Sequence, residues 1–175
     1  MMWFGMISMS MMFAGLTSAY VVSKSRSDWT SDLQFPSEFI YSLGIILASS
    51  ATLFFTKKAI QKNKQSMATI LLSSTLILGI FFIILQFQGF ENMIGQGFHF
   101  TGPTSNIVST FMFIIVATHL LHILGGIVVL MVMVINQVRN KYQAENYLGL
   151  ELGSMYWHFV DVLWVYLFFF LFFVR

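Results

Sequence analysis

The residue types that could do chemistry in this sequence are few, and most lie inside long apolar runs. One run holds Thr118, His119 and His122, followed by Gly125 and Gly126; the last run holds Ser154, His158 and Asp161, with Trp157 and Trp164 beside them. Residues three or four apart share a helix face, so His119 and His122 project together, as do Ser154, His158 and Asp161. A charge at mid-bilayer costs about 2.5–3.5 kcal/mol on insertion scales, so a carboxylate such as Asp161 needs a reason to be there. Three chemistries fit these residues. An HxxH pair with a further histidine and an aspartate has enough ligands for one iron or zinc ion. Histidine-rich boxes of the kind found in membrane di-iron enzymes are absent, however, and the fourth histidine, His99, falls in a connecting segment. A buried aspartate beside histidines also suits a proton relay, which Gln86 and Gln88 of the third run could extend. The reading that the chemistry favours is structural: a hydrogen-bonded cluster that fixes the register of two helices.

The elements that must position these groups are helices in a membrane. Of 175 residues, 57% are hydrophobic and only 9% are charged, with 20 Phe and a mean hydropathy of +0.78. Soluble domains carry roughly a quarter charged residues, so a water-facing surface cannot be assembled here. Apolar runs at 3–22, 39–56, 67–90, 107–136 and 152–174 are each long enough for one crossing of about 20 helical residues and too short for two. The fold expected is an all-α bundle of five transmembrane helices forming one domain over 1–175. Pro36 and Pro103 are expected in loops, leaving the helices unbroken. No basic segment precedes Trp3, so the first run reads as a retained helix rather than a cleaved signal. Cysteine is absent, which removes thiolate ligands, cysteine nucleophiles and disulfides.

Charges lie between the runs, where they report topology rather than nucleic-acid binding. Lys57, Lys58, Lys62 and Lys64 are assigned to the loop after the second helix, and Arg139 and Lys141 to the loop after the fourth. With five crossings these six lie on one side, against Lys24, Arg26 and Arg175 on the other. The positive-inside rule then puts the N-terminus in the cytoplasm and the C-terminus in the periplasm. Small residues mark packing stripes: Ser10, Ala14 and Ser18 in the first helix, Ala48 to Thr52 in the second, and Ser73 to Thr75 with Gly79 in the third. A short connection makes the last two helices antiparallel neighbours. Depth counting brings His122 and Asp161 to one level, which predicts a hydrogen bond or ion pair between Asp161 and a histidine of the fourth helix, foremost His122.

The run Tyr156-Trp157-His158-Phe159-Val160-Asp161-Val162-Leu163-Trp164 resembles the last helix of subunit III of haem–copper oxidases. His119-Leu120-Leu121-His122-Ile123-Leu124-Gly125-Gly126 is similar to that family's HxxHxxGG segment, and Phe13-Ala14-Gly15-Leu16 with Ala19-Tyr20 to its FAGL…AY helix. The resemblance implies a non-catalytic subunit III of a proton-pumping terminal oxidase in a bacterial inner membrane. It implies that haem and copper are held by partner subunits and none by this chain, with phospholipid as a further candidate ligand. Subunit I is then the main partner, alongside other oxidase subunits, the bilayer and a larger respiratory supercomplex; nucleic acid is not a partner. A subunit III-like chain of a quinol oxidase or nitric oxide reductase is the nearest alternative, and a free-standing transporter a more distant one. Seven-helix members of the family have two helices before the five matched here, and many carry a buried glutamate where this chain has Ser8-Met9.

Overall fold

The computed structural model describes residues 2–25, 37–97, 107–139, 141–142 and 147–174. Among them are five helices: α1 (Met2–Ser23), α2 (Ser37–Gln61), α3 (Gln65–Gly95), α4 (Ile107–Val138) and α5 (Leu148–Val174). Each is long and apolar enough to cross a membrane. His99, Pro36, Pro103, Arg26 and Arg175 lie outside the described residues.

Burial follows a heptad rhythm. In α2 the buried positions are Phe39, Ser42, Ile46, Ser49, Leu53, Thr56 and Ile60, with Ala59 beside the last; in α3 they are Ala68, Leu72, Thr75, Gly79, Phe82, Gln86, Gly89 and Met93. Steps of three and four keep one seam turned to a partner, as in left-handed helix pairs. At least every second seam position is small or polar. Lipid tails are as apolar as Leu, so close approach and interhelical hydrogen bonds must hold the helices together. Helices α2, α3, α4 and α5 form a closed ring in chain order, α5 packing back on α2, while α1 lies outside against α4 and α5.

The helices run past the apolar limits read from sequence, and this corrects one assignment. Lys57 and Lys58 belong to the last turns of α2, not to the loop after it. The helix continues because Ala59 and Ile60 are still buried, and it stops at Asn63, whose φ of 55° is left-handed. There Lys64 N donates to Ala59 O and Asn63 N to Ile60 O, the paired bonds of a Schellman cap. This turn starts α3 at once. The end of the bundle that bears it also carries the α4–α5 connection, since Gln65 donates to the Tyr142 carbonyl and Lys57 to Glu151. At the opposite end Lys24 Nζ donates to the Val174 carbonyl.

Candidate functional site

The polar interior is built around α5. Trp157 is buried in the middle of the ring, and its Nε1 donates to Ser49 Oγ of α2 at 3.1 Å. The indole fits because two helices present no side chain to it. A Cβ on Gly79 of α3 or on Gly126 of α4 would stand 2.9 Å from its ring carbons. Two turns further along, Trp164 stacks on His119 of α4, ring centroids 5.0 Å apart and planes 20° apart. Phe82 and Phe39 meet Trp164 edge-on, at 5.4 and 5.9 Å. His119 is thus an aromatic plate inside an aromatic box, and neither ring nitrogen makes a hydrogen bond.

His158 Nδ1 lies 2.5 Å from Ser50 Oγ of α2. At the end of the bundle, Lys57 of α2 pairs with Glu151 of α5 at 2.6 Å. The two contacts are seven residues apart on each helix, about 10 Å or two turns, so α2 and α5 are antiparallel in exact heptad register. Asp161, one turn beyond His158, is 2% exposed and neither carboxylate oxygen makes a hydrogen bond.

The pairing of Asp161 with His122 is therefore not formed. His122 Nδ1 instead donates to the Thr118 carbonyl of its own helix at 2.7 Å, and its ring meets Phe13 of α1 edge-on. The physical reason is azimuth. Depth counting places residues at a level, but α5 borders three helices, and its Ser154–His158–Asp161 stripe turns toward α2 rather than toward its chain neighbour α4. What ties α4 to α5 at this level is Tyr156, whose hydroxyl donates to the His122 carbonyl at 3.0 Å. Ser154 Oγ bonds locally to the Glu151 carbonyl. No hydrogen bond joins any two of His119, His122, Ser154, His158 and Asp161.

The partners that sequence reasoning missed are on α2. Ser49 and Ser50 bond to α5, Thr52 Oγ1 to Thr75 Oγ1 of α3 at 2.8 Å, and Ser42 Oγ accepts from Gln86 Nε2 at 3.1 Å. Sequence reading took 48–52 as packing alone. The heptad spacing of Ser42, Ser49 and Thr56 was the signal that could have found this face. Gln86 is buried, whereas Gln88 faces outward. Among the described residues no three His, Cys, Asp or Glu side chains gather as a metal site would require.

The sequence profile described as Cytochrome c oxidase subunit III matches residues 2–175. Cytochrome c oxidase subunit 3 of Spodoptera frugiperda is 35% identical over 125 residues, covering 71% of this chain and 80% of that protein. The proteins of the same name from Drosophila melanogaster and Gadus morhua are 33% and 32% identical over 129 residues, covering 74% of this chain and 47% of theirs. The chain thus spans about half the length of those two relatives. With five helices among the described residues long and apolar enough to span a membrane, a Trp-His-Phe-Val-Asp run whose Trp157, Val160 and Asp161 are buried, and a profile match along its length, the chain is a multi-pass membrane protein that belongs to the cytochrome c oxidase subunit III family.

Proposed function

We propose that this chain is a non-catalytic subunit of a proton-pumping haem–copper oxidase, stabilising the catalytic subunit I and sustaining its proton uptake. The family match along the chain carries this reading. The interior of the bundle supports it. Its polar groups serve helix register: Ser50–His158, Ser49–Trp157 and the His119–Trp164 stack tie α2, α4 and α5 together. In this proposal haem and copper are held by partner subunits, and phospholipid covers the apolar outer faces. The membrane proposed is the bacterial inner membrane, with the Lys57-bearing end of the bundle in the cytoplasm under the positive-inside rule. The relatives named above are animal proteins, so this assignment of membrane stands on the sequence reading.

The test is co-purification through a tag on this chain. The expected result is a complex with a visible haem spectrum; membranes from cells lacking the chain should keep that spectrum while their oxidase activity falls sooner during turnover. Recovery of the chain without haem-bearing partners would refute the proposal.

A further inference from the structure

Between α2 and α5 a crevice of about 240 Å³ opens beside the Lys57–Glu151 pair and runs inward along Leu53 and Ser154 to His158. At its inner end the Ser50 hydroxyl bonds to His158 Nδ1, and Ser50 is also the polar side chain beside Asp161. Beyond it, inward of the residues that line the crevice, the Asp161 carboxyl group is 2% exposed, with Ser50 beside it and neither oxygen in hydrogen-bond geometry with any described protein group. Buried polar groups are otherwise bonded, to protein or to water, and leaving one unbonded costs about 1–3 kcal/mol. Lys57, Glu151, Ser154 and His158 give this otherwise largely apolar crevice polar partners, and its volume holds several waters at roughly 30 Å³ each.

We propose that this crevice is a water-filled inlet that reaches Asp161 from the end of the bundle bearing Lys57 and Glu151, with His158 and Ser50 as its inner bridge. The inlet is one-sided. The titratable and charged groups along it are Lys57 of α2 and Glu151, His158 and Asp161 of α5. The membrane-buried stretches of α1 and α3 beside it contribute none, and His119 and His122 of α4 are occupied by the Trp164 stack and the Thr118 carbonyl. From Asp161 toward the other end, α5 continues as Val162 to Val174 with no ionisable side chain but Tyr166, which bonds to Thr17 of α1. Water reaching Asp161 gives its carboxyl group proton exchange with one face of the membrane only. This inference needs the membrane-spanning fold and does not depend on oxidase assembly.

The absence of cysteine makes the inlet directly testable, because a single engineered thiol is then the only one in the chain. Ser154→Cys marks the mouth, Asp161→Cys the end, and Val162→Cys the lipid-facing side of α5 at the same depth, where the native residue is 67% exposed. Thiolates form and react where water reaches them. The cysteines at 154 and 161, treated in sealed membranes with the impermeant methanethiosulfonate ethyltrimethylammonium and read on the separated chain, should therefore react at least about tenfold faster than that at 162. Reaction should come only from the Lys57 side. Ser50→Cys, a nearly isosteric change beside Asp161, gives the same reading if Asp161→Cys fails to insert. Reaction at 161 and 50 no faster than at 162, or reaction from the opposite side, would overturn the inlet.

Discussion

The adjacent glycines of α4 offer a perturbation with its own control. A Cβ on Gly126 would stand 2.9 and 3.0 Å from Trp157 ring carbons, whereas a Cβ on Gly125 would meet the Tyr156 hydroxyl at 3.5 Å, an ordinary contact. Gly126→Ala must therefore displace the indole by several tenths of an ångström. The indole has nowhere to go, since Gly79 of α3 backs it and Ser49 holds its Nε1. Overpacking of this kind costs about 1–3 kcal/mol. Both substitutions gain the same helix preference of alanine over glycine, roughly 0.5–1 kcal/mol, so their difference isolates the clash. Gly125→Ala should be neutral or slightly stabilising, and Gly126→Ala about 1–3 kcal/mol worse. The assay is thermal unfolding in detergent, followed for both variants and for each combined with Trp157→Phe. The smaller ring lacks the clashing atoms, so Trp157→Phe should rescue Gly126→Ala by about 0.5–3 kcal/mol of coupling and leave Gly125→Ala unaffected. Equal stability of the two single variants, or no coupling, would refute this account of why the glycines are there.

Three further outcomes follow from the polar interior. Ser49→Ala removes the acceptor of Trp157 Nε1 and should cost about 0.6–1.7 kcal/mol, the range of interhelical hydrogen bonds in membranes, measured by the same unfolding assay. His119→Phe keeps the stack on Trp164 and removes two unbonded nitrogens, so stability should hold or rise, while His119→Ala should lose about 3 kcal/mol or more to a cavity. If His119→Phe unfolds the chain as readily as His119→Ala, the histidine is held by something other than packing. Asp161→Asn keeps the volume and breaks no protein hydrogen bond, so the chain's own unfolding should shift by no more than about 1 kcal/mol. In the proposed complex, absorption spectroscopy should find the haem bands unchanged while turnover lifetime or subunit retention falls, and an altered haem spectrum would contradict a non-catalytic role.

The number of helices and their apolar cores were legible because hydropathy separates lipid from water, and α1 to α5 each carry one long apolar run; their ends were not, since α2, α3 and α5 continue several residues past those runs. Which face of a helix turns inward was not, because the bundle interior is no more apolar than the lipid. In α2, Ile46 and Leu53 are buried while Leu47 and Phe54 are exposed, and hydropathy does not tell these pairs apart. The small and polar residues do carry the signal: Ser42, Ser49 and Thr56 trace the inner face of α2, and Thr75, Gly79, Gln86 and Gly89 that of α3. Reading Ala48 to Thr52 as packing alone concealed Ser49 and Ser50, the partners of α5. The same gap explains the misplaced bond of Asp161. Chain order correctly predicts that α4 touches α5, and depth counting puts His122 near the level of Asp161, but neither fixes rotation about the helix axis. Rotation is fixed by the largest side chain that must be housed. Trp157 requires glycine on two helices at once and a hydroxyl on a third, and only one rotation of α5 satisfies Gly79, Gly126 and Ser49 together. That rotation carries Asp161, about 40° around the helix from Trp157 at 3.6 residues per turn, to the α2 side. The tryptophan thus sets where the carboxylate points, toward Ser50 of α2 rather than toward the histidines of α4.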